Sequence, residues 1–356
     1  MFLAVFIYAC SDSETDIPPT DDQIKMELES NVVQISQTVD NIHETSGYQL
    51  ISVSEPEGPN SQAKLKTAPV FEINITLDDV KGVYSYSPSD PQGEGEDIIY
   101  GNIFTKINES ENFIVQVPIE KVLEPWNLHR QQDNDDELEN NLEIVASQYA
   151  LIDSDVSGLD YTLNMSLALN ESSAGNMSVR NISTPENANV NVKYEFTESI
   201  EVTVEFIAND NNVSQEFKII ENDEVIYKEK TSGILSEEGE LLSFEIKITV
   251  DNIEFIKSTE SDKYIVFRDG VQEENVIVDV IGECGSPEQG FCKNNLNLDI
   301  TFEDGSKINL ASSLGDETLN KMANLFDSMY QIYFVQFIVD NVAIRILHDN
   351  NQQNQQ

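Results

Sequence analysis

The chain has 356 residues, 39% of them hydrophobic, with 65 acidic against 20 basic side chains and a net charge of −45. So negative a surface repels nucleic acid and anionic lipid headgroups, and it favours cations such as Ca2+ or a medium whose salt screens self-repulsion. The apolar residues are few but strongly patterned, which excludes an unfolded chain and is compatible with one large domain or two.

Residues Met1 to Ala9 form a short apolar run, closed by Cys10 and followed by Ser-Asp-Ser-Glu-Thr-Asp. The Ile7-Tyr8-Ala9-Cys10 segment resembles a lipobox, with an aliphatic residue three before the cysteine and Ala directly before it. On that likeness, residues 1–9 are a lipoprotein signal peptide, Cys10 is the lipidated residue, and 10–22 are an acidic tether carrying Pro18-Pro19. The Ser11-Asp12-Ser13-Glu14 stretch is similar to the Ser-plus-acidic run after the lipid cysteine in surface-exposed lipoproteins of Bacteroidetes. The resemblance implies a lipid anchor in the outer membrane and exposure at the cell surface, with the periplasmic face as the other placement. It carries over no functional residue. No later run of 18 apolar residues would span a bilayer.

A first section, 23–126, combines a helix with strands. Asp21-Asp22 opens the helix, and Leu28, Val32, Ile35, Val39 and Ile42 follow at steps of four and three until Gly47 ends it. So short a seam fits docking on a sheet better than a coiled coil. The period then changes to two: Phe71, Ile73, Ile75 and Leu77 alternate with polar residues. Ser87 to Glu96 is a surface loop by composition. Residues 127–141, centred on Asp133-Asn134-Asp135-Asp136-Glu137, are an acidic loop or linker and the candidate internal boundary.

The section 142–348 is read as antiparallel β with a helix and a hairpin at its end. Alternation recurs at Tyr161–Leu169, Val190–Phe196, Ile200–Phe206, Phe244–Val250 and Leu296–Phe302. Asp304-Gly305 is a hairpin signal. Asp316-Glu317 opens a second helix, with Leu319, Met322, Leu325, Phe326 and Met329 at helical spacing. Asp340-Asn341 is taken as a turn between strands Tyr333–Val339 and Val342–Leu347, and 349–356 as a disordered tail. The expected fold is therefore α+β and mostly antiparallel: a meander or hairpin-rich curved sheet, or a sandwich, with an N-terminal amphipathic helix and one C-terminal helix.

Few residues announce chemistry. Cys284 and Cys292 bracket a loop with Gly285, Pro287 and Gly290, and in an exported protein a disulfide is the default, contributing on the order of 2–3 kcal/mol. Asp153, Asp155, Ser157 and Asp160, with Gly158 at the sixth position, have the spacing of a calcium loop but no bidentate Glu at the twelfth. A plain Asp/Ser/Gly turn is the competing reading, and Asp133, Asp135 and Glu137 form a solvated charge run. His43, His129 and His348 are dispersed, and no nucleophile elbow, zinc-protease motif or phosphate loop occurs. Trp126, Tyr84 and Tyr86 are the candidate glycan-stacking aromatics, the two tyrosines sitting at strand spacing. The expectation is a non-catalytic envelope lipoprotein serving as a binding or structural module. Its partners would be the membrane, through the lipid, and an envelope protein, glycan or lipid, with no nucleic acid. A carrier of a lipid or other apolar ligand in a curved-sheet cavity is the alternative, and a hydrolase using acidic residues the third.

Overall fold

The computed structural model describes residues 21–52, 73–87, 103–123, 138–154, 158–184, 186–261, 263–281, 296–331 and 333–353. Helix α1 (Asp21–His43) forms where the five-residue stripe from Leu28 to Ile42 predicts it, and all five side chains are buried. Burying each contributes roughly 1.5–3 kcal/mol. Gly47 does not end this helix. It lies in the next one, α2 (Ser46–Ile51), whose first turn is capped by the Thr45 hydroxyl accepting the Tyr48 N–H at 3.0 Å. Its role is close approach: a Cβ there would stand 2.4 Å from the Ala174 carbonyl oxygen and 2.9 Å from the Tyr194 hydroxyl.

The sheet begins with β1 (Ile73–Thr76), the one-turn α3 (Leu77–Val80), β2 (Gly82–Tyr86), β3 (Phe104–Asn108), β4 (Phe113–Val117) and α4 (Ile119–Leu123). Long strands follow: β5 (Leu142–Ser154), β6 (Gly158–Leu169), β7 (Ser172–Ser183), β8 (Asn187–Glu195), β9 (Ile200–Asn209), β10 (Asn212–Glu221), β11 (Glu224–Leu235) and β12 (Leu241–Val250). Shorter ones, β13 (Ile253–Ser258), β14 (Ile265–Arg268) and β15 (Val271–Gln272), finish a 15-stranded sheet. From β5 to β15 every strand pairs antiparallel with its sequence neighbour, a continuous meander; β2 and β4 pair parallel. Several hairpins turn on two residues, and Asn170-Glu171, Asn222-Asp223 and Asp269-Gly270 hold positive φ at both. Asn and Asp tolerate that left-handed region better than other side-chain-bearing residues, which is one use this chain makes of them.

β4 and β5 flank the acidic 127–141 stretch yet pair from Phe113 with Ala146 to Val117 with Leu142. One sheet therefore runs across the expected linker. Outward-facing residues of the meander carry opposite charges: Lys193 reaches Glu195 and Glu201, Lys218 reaches Glu216, and Lys247 reaches Glu254. Inward-facing residues belong to the same apolar cluster as the helices.

A small sheet, β16 (Ile277–Val280), β17 (Leu298–Thr301) and β18 (Lys307–Asn309), includes the hairpin expected at Asp304-Gly305, where the Gly305 N–H donates to the Phe302 carbonyl at 2.9 Å. Helix α5 (Leu310–Gln331) kinks at Gly315, φ 77°, and from there buries Leu319, Met322, Leu325, Phe326 and Met329 as their spacing implies.

The end of the chain corrects the sequence reading. Residues Tyr333–Gln353 are a helix, α6, so there are two C-terminal helices, no Asp340-Asn341 hairpin, and helix where a disordered tail was expected from Asp349 to Gln353. The β-branched, aromatic run looks like strand, but Val335, Ile338, Val339, Val342 and Ala343 recur at steps of three, one, three and one. All five are buried. That is a helical stripe, and packing realises it.

The contacts along α1 step across the strands: Glu27 meets Arg268 on β14 at 3.1 Å, and Gln34 donates to Glu221 on β10 at 2.9 Å. α5 lies beside α1, with Lys321 bridging Asp40 (2.7 Å) and Glu317 (2.9 Å), and Phe326 packs edge-on to Phe217 of β10 at 5.3 Å. The Gly47→Val variant should lose about 1–3 kcal/mol, since overpacking against a backbone carbonyl cannot be relieved by rotating a side chain. Urea unfolding of the variant beside wild type reads this directly, and an unchanged midpoint would show that α2 and β7 are not held together as described.

Candidate functional site

Two features stand out from the packing. The first is a largely buried carboxyl on the inner face of α6. Asp340 Oδ1 accepts hydrogen bonds from the Tyr149 and Tyr161 hydroxyls, 3.0 Å each, and Gln336 Nε2 lies 3.4 Å from Oδ2. A register shift in β5 between Ala146 and Gln148 brings Tyr149 to the inner face. The buried series Leu142, Ile144, Ala146 is thus continued by Tyr149 instead of Gln148, as a β-bulge does by inserting one residue. Tyr149 then joins an edge-on aromatic series with Phe113 (5.9 Å) and Tyr161 (6.2 Å).

Burial pushes the Asp340 carboxyl up to about 6 from 3.8, against the opposing pull of its three hydrogen bonds, and burial also raises both phenols. Its oxygens are occupied by side chains that tie α6 to β5 and β6. A second buried acid, Glu229 on β11, accepts from Tyr227 at 3.1 Å. Burial first, and then the Glu229 charge, pushes Tyr264 up to about 12.

The second feature is where the helical layer stops. The register aligns Val192, Val204, Phe217, Glu229, Ile248 and Phe255 in one inward-facing row across β8 to β13, and every one is buried. The next row toward the strand ends is Val190, Phe206, Gln215, Thr231 and Ile246, and the one beyond it Ala188, Ala208, Val213, Gly233 and Phe244. Cover thins over these two rows: Val204 is 5% exposed and Phe206, two residues on, 37%. Leu241, 48% exposed, extends over Gly233, where a Cβ would meet its Cδ1 at 2.8 Å; Leu242 is 60% exposed. Together they form a partly exposed, largely apolar shelf that also carries Gln215 and Thr231.

The residues singled out from the sequence are not assembled by the fold. Asp153 and Asp160 flank the β5–β6 turn, with Asp153 paired to Leu159 and Asp160 to Ile152, so their side chains point to opposite faces. Asp160 is bonded to Arg180, whose Nη1 also donates to the Tyr161 carbonyl at 3.0 Å. Asp155 and Ser157 lie outside the described residues, as do Cys10, Cys284, Cys292, Asp133, Asp135, Glu137, Trp126 and His129. The strands flanking the cysteine loop, β16 and β17, pair antiparallel with each other. Tyr84 and Tyr86 are buried in β2, sheet residues as their spacing implied. His43, in the last turn of α1, stacks on Tyr48 and lies 3.1 Å from the Lys321 carbonyl through Nε2; burial lowers its pKa. Among the described residues no group of three or more His, Cys, Asp or Glu is placed to hold a metal, and no helix is long and apolar enough to cross a membrane.

Sequence reasoning missed Asp340, taken as a turn residue, and the shelf. The helical stripe around Asp340 was the available signal for the first; nothing in the alternation of β8 to β12 marks where a covering helix ends. Protein-family models, curated proteins and solved structures all fail to match the chain.

A carboxyl whose folded pKa exceeds its unfolded one loses stability as pH rises between the two values, here from about 4 to about 6, and the loss persists above. The Asp340→Asn variant keeps an acceptor for both tyrosines and removes the charge. It should therefore match wild type near pH 4 and exceed it at pH 8 by on the order of 1–3 kcal/mol. Urea unfolding at both pH values checks it; a variant weaker than wild type at pH 8 would mean that the charge stabilises the cluster.

Proposed function

We propose that this protein is a non-catalytic lipoprotein of the cell envelope, anchored at Cys10 in the outer membrane and facing the cell surface, that works as a binding or structural module. The reading of a module rests on one observation: the protein's own helices pack on one face of the sheet, and the shelf residues Phe206 and Leu241 on that face are exposed at the strand ends. The buried acids support the same reading, because Asp340 and Glu229 are bonded to tyrosines inside the packed layer. For the anchor, the support is the Ile7-Tyr8-Ala9-Cys10 segment and the acidic stretch after it.

Cys10→Ser should move the protein from the membrane to the soluble fraction; sedimentation with membranes unchanged from wild type rules the anchor out. A second reading, a carrier of a lipid or other apolar ligand, draws on the exposed apolar residues of the shelf. Native mass spectrometry of the domain purified from its own host without detergent separates the two. A bare protein mass, lower by two hydrogens if Cys284 and Cys292 are joined, is expected for the module. An adduct of lipid mass released on denaturation would establish the carrier instead.

A further inference from the structure

We propose that the shelf at the ends of β8 to β12 docks a basic, amphipathic helical segment of another protein, an assignment that rests on the reading of the chain as a binding module. Three observations lead to this occupant. The first is the neighbourhood. Phe217, in the last covered row, packs on Phe326 of α5, and the following rows keep the same inward face, with Phe206 and Leu241 exposed on it among the described residues. A helix laid there would continue a layer that the sheet already accommodates.

The second is size. Five strands about 4.8 Å apart span about 19 Å, the length of a helix of about thirteen residues. Val190, Phe206, Val213, Phe244 and Leu241 supply the apolar floor, and Gly233, without a side chain, lets Leu241 lie over the sheet surface.

The third is charge. The loops at that end of the strands carry Glu186, Asp210, Glu237, Glu238, Glu240 and Glu260, all exposed. Lys257 on β13 and Lys263 are the cations at the margin. An apolar floor with an acidic rim complements a helix whose apolar stripe is bordered by Lys or Arg. The same charge disfavours a second copy, since each chain carries −45, and it disfavours anionic lipid.

The test uses the full chain and a fluorescent helical peptide of Leu and Lys, about fourteen residues long, with a Leu/Glu peptide as its counterpart. Fluorescence anisotropy should detect binding of the Lys peptide alone. Phe206→Ser and Leu241→Ser should each weaken it roughly tenfold or more, while Ile182→Ser, exposed on the outer face, leaves it unchanged. Changing Glu237, Glu238 and Glu240 together to Gln should flatten the salt dependence. Melting curves of each variant confirm that it folds. Equal affinity in the shelf variants would reduce the binding to charge attraction alone and overturn the proposal. So would shelf-dependent binding of phosphatidylcholine vesicles without peptide affinity, or a shelf-dependent dimer in sedimentation. Loss of the site by this test leaves the module reading standing, whereas a lipid adduct on natively purified protein removes that reading itself.

Discussion

The long strands of this meander present one apolar face, and most of it must be kept from water. That requirement organises the molecule. α1 crosses the strands and brings the stripe from Leu28 to Ile42 onto the inner face, α5 lies beside it, α2 reaches β7 at Gly47, and α6 covers β5 and β6. Because the interior is close-packed, each contact constrains its neighbours: the Gly47 approach to Ala174 leaves no room for a methyl group. Remove the helical layer and the sheet would have an apolar face and no partner for it.

The same layer determines the electrostatics. Acids placed outward meet lysines or water, and the extreme charge is tolerated because most of it is solvated. Acids placed inward meet tyrosines. Asp340 and Glu229 each accept a phenolic hydrogen bond, which partly compensates burial. Where the layer ends, apolar residues and acidic loops come together at the strand ends.

Much of the fold was legible. The steps of four and three in α1, the alternation at Tyr161–Leu169, Val190–Phe196, Ile200–Phe206 and Phe244–Val250, the Asp304-Gly305 turn and the Leu319–Met329 stripe each report a local period that survives packing. Legibility failed where local signals conflict with what the environment imposes. The Tyr333–Leu347 segment has strand-like composition with helical spacing, and the spacing prevailed because its buried stripe faces the sheet. Gly47 looks like a helix stop and is a contact point. Tyr149 faces inward through a bulge that no alternation pattern foretells.

The sequence by itself determined an α+β chain of antiparallel strands, an acidic exterior and the absence of familiar catalytic motifs, because periodicity and charge are local properties of the string. Only the tertiary structure decided which face of each strand is covered and how far. It brought Asp340 onto two tyrosines nearly two hundred residues earlier in the chain, separated Asp153 from Asp160 by a sheet, and left Phe206 open while Val204 is buried. Those outcomes depend on how one element lies against another, and no local spacing records that.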